Sequence, residues 1–582
     1  MAGLIPLALV LGLQPSGWRQ SLDPASYSLL PSGQPSLRAF GEAGSYREKT
    51  MSTAGGPVLQ VRVLKRGATG YAVQVQTPRF IQPIRKGDNV FLTYRARCLE
   101  GPGSWGMYVQ QGTEPWTGLF SSQSNAGRDW KTFYHAWTSD RDWAADSAEV
   151  TFHIAGSAQT LEFSSMEVIN AKGTPLTRLP LTPMSYVGRD PKAAWRREAA
   201  RRIERFRKAD LKVRVLDERG RPLQGRKVAV RMQRHAFEFG SFVEQPLVWK
   251  NPDGDRYRAW FLKAYNKATA PMYWADWGWE SPVEHARYFQ YADWFRDHRI
   301  PTKAHVLIYP GFQFMPSRLR ITSNPNVIRG SIMEHIETKL NATRKYGFVS
   351  WDILNELRDL KDLAHVFGSE RIYVDIFKKA HAVDPRPDFY LNENTILTNG
   401  GATENEQAEF ERQLRYLVKE GAPVEGIGMQ GHFGESLTPP ETIWKIADRF
   451  AKFGLPIQIT EFDINTRDEA GQADYTRDLL TAWFAHPATT GFTMWGFWEG
   501  SMWQPYGAMV RKDWSIKPNG QAWLDLIHKR WWTNKDLVTD RQGYVRVRGF
   551  KGDYLVTVAG QSVRVRLDGP ATQTVRVPAS RL

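Results

Sequence analysis

The sequence predicts an α/β architecture: a (β/α)8 TIM barrel, preceded by a β-sandwich domain and followed by a small C-terminal β-module. Three observations predict it. Between residues 237 and 530, short β-prone apolar runs alternate with amphipathic helical stretches, as a parallel sheet wound with helices requires. Between 45 and 170 the apolar residues alternate with polar ones, and Gly, Pro, Asn and Asp punctuate the runs. Two runs of the middle region end on a carboxylate, Glu356 after Val349–Asn355 and Glu461 after Leu455–Thr460. In a barrel, strand ends of that kind gather catalytic groups.

The elements follow in chain order. Residues 1–44 read as a possible signal and linker. The apolar run Leu4–Leu13 suits a signal core and is too short to span a bilayer, although no positive segment precedes it. Residues 14–45, rich in Ser, Pro and Gly, read as a lead-in. The sandwich, 45–170, has expected strands at 58–63, 71–76, 89–94, 106–110, 130–135 and 149–154. Trp105, Tyr108, Trp116, Trp130, Tyr134, Trp137 and Trp143 crowd it, mostly as core, with a few available to stack on sugar. Residues 171–234 are a connector, a basic helix and a hairpin. The helix sets Trp195, Ala199, Ile203 and Phe206 at helical spacing. The hairpin strands, 211–216 and 226–232, flank a turn-rich Asp217–Pro222. The barrel, 235–535, has expected strands at 237–243, 267–272, 302–308, 349–354, 388–392, 426–430, 456–460 and 491–495, and helices such as 327–345, 404–420 and 440–453. Residues 541–582 form a small basic β-module.

Composition excludes several chemistries. A chain of 582 residues is too long for one ordinary domain. Its single cysteine, Cys98, rules out an intramolecular disulfide framework. No zinc cluster, H-E-x-x-H, Walker loop or EF-hand pattern occurs, so neither metal nor cofactor is implied. The net charge of +16 is concentrated: residues 189–234 carry 17 Lys/Arg against 6 Asp/Glu, and 541–582 carry 8 against 2. We read the first block as a solvated helix on one apolar stripe, with attraction to acidic polysaccharide as the sharper alternative. No nucleic-acid recognition motif appears.

Breaking a glycosidic bond requires a proton for the leaving oxygen and stabilisation of an oxocarbenium-like centre, and two carboxyl groups supply both. In retaining enzymes they stand roughly 5–5.5 Å apart and one attacks the anomeric carbon. Trp351-Asp-Ile-Leu-Asn355-Glu356 resembles the acid/base motif of glycoside hydrolase family 10, the main endo-β-1,4-xylanase family, and Ile459-Thr-Glu461-Phe-Asp463-Ile464 resembles its nucleophile motif. Gly426-Ile-Gly-Met-Gln430-Gly-His432 is similar to its Q-x-H element, and Trp495–Trp503 to its strand-eight tryptophan segment.

The resemblance implies Glu356 as general acid/base and Glu461 as nucleophile. It places Asn355 on the sugar 2-hydroxyl and has His432 hold Glu461 ionised with Asp463 orienting it. Gln430 would line the same wall, and Trp495 and Trp503 would stack on the glycone side. His305 matches the first of two family histidines after strand three, and Asn392 and Trp274 complete the expected binding set. Glu393, beside Asn392, reads as a hydrogen-bond partner and not a catalyst.

The departures from the pattern concern the sugar. The family presents Glu-Asn and then Lys-Trp after strand two. This chain reads Thr269-Ala-Pro-Met-Tyr-Trp274-Ala-Asp-Trp277-Gly-Trp279, and Tyr309-Pro310 stands where the second histidine is expected. Three tryptophans in place of polar groups suggest stacking, with an altered sugar preference. The expectation is a retaining glycosidase of a β-linked, xylan-like polysaccharide, secreted or periplasmic, monomeric, without a membrane span or nucleic-acid partner. The alternatives are a retaining hydrolase of another β-glycan and a non-catalytic carbohydrate-binding protein on the same scaffold.

Overall fold

The computed structural model describes residues 17–32, 36–322 and 324–578. The run 4–13 lies outside the described residues. The chain divides into two compact units, one ending at Met184 and taking in Gly434–Ser436, the other comprising the rest.

The first unit is a sandwich of two antiparallel sheets. One has the order Tyr46–Thr53, Gly56–Val63, Gln159–Lys172, Asn89–Glu100, Lys131–Thr138, with Tyr27–Ser28 added on Gln159–Lys172. The other has the order Arg38–Gly41, Val73–Gln76, Ala148–His153, Ser104–Gln111, Gly118–Asn125. Alternation does the work: Trp105, Met107 and Val109 face Val150 and Phe152 inside, while their neighbours in sequence face out. Trp105, Trp137 and Trp143 are core, and Trp116 is exposed.

The lead-in expected at 14–45 is corrected from residue 17 onward. Trp18 packs on Phe91 at 4.5 Å, Leu29 and Leu30 are buried, and two strands fall within it. Its anchors are one or two residues long and are separated by Ser, Pro and Gly, so no apolar run announces them.

In the second unit eight parallel strands close a barrel. They are β1 (Glu238–Phe242), β2 (Lys267–Pro271), β3 (Thr302–His305), β4 (Ser350–Asn355), β5 (Asp388–Glu393), β6 (Gly426–Phe433), β7 (Ile457–Ile464) and β8 (Thr489–Met494). Helices such as Pro325–Thr343, Glu404–Lys419 and Pro440–Ala451 cover them. All eight strands stand where the apolar runs predicted, and the family segments occupy or directly follow the C-terminal parts of β4, β6, β7 and β8.

The basic helix, Ala194–Phe206, buries Trp195, Ala199 and Ile203. Arginines on it and beside it are used within the fold. Arg196 pairs with the buried Asp478 at 2.6 Å, and Arg189 with Asp474 at 2.8 Å. Arg207 donates to the carbonyls of Phe484, His486 and Thr489 ahead of β8, and burial pulls its guanidinium down to about 9.

The two strands expected to form a hairpin, Lys208–Asp217 and Lys227–His235, do not pair with each other but lie in different sheets, each completed by strands of the basic tail region. Lys208–Asp217 lies between Tyr544–Phe550 and Ala571–Val577. Lys227–His235 lies between Asn534–Val538 and Gly552–Val558, which also pairs with Gln561–Leu567. Segments over 300 residues apart in sequence thus pair, and Val213, Val230, Val556 and Val575 on them are buried.

Candidate active site

Glu356 follows β4 directly. Its backbone is left-handed, with φ of 59°, a conformation that costs a non-glycine residue about 1–2 kcal/mol. The N–H of Glu356 donates to the Asn392 carbonyl at 3.0 Å, which ties the strained residue to β5. Its side chain is half-buried and accepts from Gln430 Nε2 at 2.8 Å and from Asn355 Nδ2 at 3.4 Å.

Glu461 lies within the last turn of pleat of β7, beside Gln430 in the parallel register, and is 4% exposed. Asn392 Nδ2 donates to its Oε1 at 2.7 Å and His432 Nε2 to its Oε2 at 3.0 Å. Asn392 Nδ2 also reaches Asn355 Oδ1 at 2.8 Å, while its own oxygen accepts from Thr460 at 2.6 Å. Two amides, Asn355 and Asn392, therefore connect the acidic groups of β4 and β7 in one hydrogen-bonded chain.

His432 lies between two carboxylates, with Nδ1 3.0 Å from Asp463 Oδ2 and Nε2 3.0 Å from Glu461 Oε2. Burial opposes its charge, but Asp463 and Glu461 outweigh that and lift it to about 10. The ring is an imidazolium at neutral pH and donates through both nitrogens. Trp503 Nε1 donates to the same Asp463 oxygen at 3.0 Å, with its ring edge-on to His432 at 5.0 Å and its body 58% exposed. Trp495 stacks on Phe242 at 4.2 Å and meets His305 edge-on at 5.0 Å.

A second charged group lies deeper. His305 Nδ1 is 2.9 Å from Asp352 Oδ2 and 4.0 Å from Glu461 Oε1, and Lys303 pairs with Asp352 at 2.6 Å. Burial works against ionised Asp352, yet Lys303 and His305 hold it below the usual carboxylate range.

The structure brings together Glu356, Glu461, Asn355, Asn392, Gln430, His432, Asp463, His305, Trp495 and Trp503. It does not bring in Trp274. That ring is 2% exposed, stacks on His335 at 4.0 Å and donates to Glu280 at 2.8 Å, so it is core and not a sugar platform. Trp279 is buried against His285 at 4.1 Å, and only Trp277 of the three is open, at 51%. Gln430 differs in its partner, serving Glu356. Glu393 is fully buried and accepts from the backbone N–H groups of Arg358 at 3.1 Å and Asn394 at 2.9 Å. Burial pushes its carboxyl up to about 8.

Two tyrosines were not among the expected site residues. Beyond β3 the chain stays paired with β4, through Leu307 N–H to Asp352 O and an Ile308–Leu354 bridge, which carries Tyr309 alongside Asn355. Its ring stacks on Phe314 at 4.0 Å, and burial followed by the charges of Glu356 and Glu461 pushes its phenol well up. Tyr273, after β2, meets His305 edge-on at 5.4 Å, and burial and then Glu461 push its phenol well up too. One signal was available: Tyr309 ends an apolar run, as the two glutamates do.

An eight-stranded parallel barrel with acidic groups at the ends of strands four and seven defines a glycosidase scaffold. Residues 231–519, the barrel region, match the model of Glycosyl hydrolase family 10. Among relatives, Anti-sigma-I factor RsgI6 of Acetivibrio thermocellus is 27% identical over 62% of this chain and 46% of its own length. Endo-1,4-beta-xylanase 1 of Arabidopsis thaliana is 26% identical over 62% of this chain and 37% of its own. The chain thus spans less than half the length of either. Xylanase10C from Cellvibrio japonicus in complex with xylopentaose aligns over 86% of this chain and 98% of its own, at 15% identity and a TM-score of 0.44.

Proposed function

We propose that this chain is a retaining glycosidase that cleaves a β-linked polysaccharide with a xylan-like backbone through a covalent glycosyl-enzyme intermediate. One observation carries the reading: Glu356 and Glu461, at the ends of strands four and seven, belong to a single hydrogen-bonded chain through Asn355 and Asn392.

The roles follow from the partners. Glu461 faces an imidazolium and an amide donor, the setting of a carboxylate that stays ionised and attacks the anomeric carbon. Glu356, half-buried beside neutral Gln430, gives its proton to the leaving oxygen as that bond breaks. It then takes a proton from the water that displaces Glu461. Asp463 fixes the ring orientation of His432, and Trp503 holds Asp463 in turn.

A second reading concerns the sugar. Pro271 and Met272 end β2 without a polar side chain, and Tyr273 and Tyr309 face the carboxylates instead. This favours a β-glycan other than plain xylan, because phenols read hydroxyls differently from an ammonium and an imidazole. The test is turnover of xylan, glucuronoxylan and mixed-linkage glucan. It is paired with mass spectrometry of the protein after a slow-deglycosylating 2-fluoro aryl glycoside. A glycosyl adduct on the Glu461 peptide is expected. Turnover of no β-glycan and no adduct would replace the reading with that of a binding protein.

A further inference from the structure

The outer face of the five-stranded sheet in the sandwich is unlike an ordinary solvent-facing sheet. Register sets its residues: Gln74 lies across from His153 and His153 from Gly106, while Gln76 lies across from Thr151 and Thr151 from Tyr108. Gly106 leaves room that Tyr108 fills. A Cβ at Gly106 would stand 2.7 Å from the Tyr108 ring, so that ring lies flat over the strand. It stacks on His153 at 4.2 Å, and the 58% exposed Tyr71 meets His153 at 5.8 Å. Two stacked rings thus lie on the sheet, and Tyr71 borders them edge-on from the turn ahead of Val73–Gln76.

Amides flank the rings, and hydrogen bonds already orient them. Gln123 Nε2 donates to the Tyr108 hydroxyl at 3.3 Å. Gln74 Nε2 donates to the Tyr71 carbonyl at 3.0 Å, and its oxygen accepts from Thr151 at 2.9 Å and from Gln76 at 3.2 Å. Charge is confined to the margins, with Arg38 on the edge strand and Glu149 beside Arg79. Burial pulls His153 down to about 4, so its ring is neutral in the neutral range.

The uncharged Tyr108–His153 stack, bordered by the edge-on Tyr71 and by fixed amides, matches one ligand chemistry. Pyranose rings present an apolar C–H face that covers an aromatic plane, and vicinal hydroxyls that both give and take hydrogen bonds, as primary amides do. A polyanion would find no counter-charge along the stack. We propose that this face, centred on Tyr108 and His153, binds a neutral β-linked glycan chain laid across the strands. The site is separate from the barrel carboxylates and does not depend on turnover there.

The test is affinity electrophoresis of the full chain in the Glu461→Ala background, with unsubstituted xylan, mixed-linkage β-glucan or polygalacturonate cast in the gel. Retardation by a neutral polymer is expected. Tyr108→Ala should weaken it at least tenfold, Tyr108→Phe should keep it, and Trp503→Ala in the barrel should leave most of it. With Glu461 intact, Tyr108→Ala should retain aryl-glycoside turnover and its thermal midpoint, which separates lost binding from lost folding. Equal retardation of the parent and Tyr108→Ala would overturn the proposal, as would retardation by polygalacturonate alone or by no neutral polymer.

Discussion

The mouth of the barrel has two sides built on different logic. On the side of β4, β6 and β7, charge and amide groups interlock: Glu356, Asn355, Gln430, His432, Glu461 and Asp463 each have a partner within 3.5 Å. On the side of β2 and β3 His305 reaches Glu461 at 4.0 Å, and beyond it the polar set is thin. Pro271 and Met272 end the strand, Tyr273 and Tyr309 supply phenols, and Trp277 supplies an open ring. Bond-breaking chemistry tolerates little change because each group sets the charge of the next. Sugar reading is modular, since one hydroxyl contact can be exchanged for another while the reaction coordinate stays as it is.

The largest expected effects lie on the first side. Glu461→Ala should lower kcat on every substrate by about 10³-fold or more, because no other group can attack the anomeric carbon. Glu356→Ala should match that loss on polysaccharide, yet spare the first step with an aryl glycoside whose leaving group needs no proton. Steady-state and burst kinetics on both substrates check this. Equal loss on both would break the division of labour between the two carboxylates.

Next comes His432. His432→Asn should cost about 10²-fold in kcat/KM by removing the positive charge that faces Glu461. The sign of its pH dependence is fixed by its raised pKa. Below about 6.5 the charged ring contributes its full stabilisation, which is lost as pH rises through about 10. The gap in thermal midpoint between the parent and His432→Asn should therefore narrow from pH 7 to pH 10.5. A constant gap would mean that the ring is neutral.

Smaller effects belong to the second side. Tyr309→Phe should lower kcat/KM by about tenfold and change the ranking of xylan against mixed-linkage glucan, since the lost phenol adjoins Glu356. Trp274→Phe should leave that ranking intact and only lower the melting temperature, because its ring lies in the core against His335. A polysaccharide panel on both variants sharpens the comparison, and a ranking unmoved by Tyr309→Phe would break it.

What was legible in the sequence follows from how each feature is encoded. Barrel strands are continuous apolar runs, so all eight could be read, and a glutamate ending such a run marks its own position. The hydrogen bonds between Asn392 and its neighbours were not legible, because three strands meet there only after closure. Trp274 was misplaced for a related reason: composition shows an indole, and only packing shows which way it points. The expected hairpin at 208–235 was misread because each of its strands pairs with a segment over 300 residues further on, for which neither carries a local signal.

The smallest expected effect is on stability and concerns Glu393, the acidic group of β5 that belongs to neither side. It is fully buried, and burial raises it to about 8, although two backbone N–H groups face it. Between its unfolded value near 4.5 and about 8 the folded chain holds a proton that the unfolded chain has lost. The contribution of Glu393 is therefore present below that window and lost as pH rises through about 8. Glu393→Gln keeps an acceptor for one N–H and never ionises. Its thermal midpoint should be close to the parent's at pH 5 and exceed it by several degrees at pH 9. A deficit at both pH values would show that Glu393 works ionised, as a third member of the catalytic side, and the division drawn between the two halves of the mouth would have to move to β5.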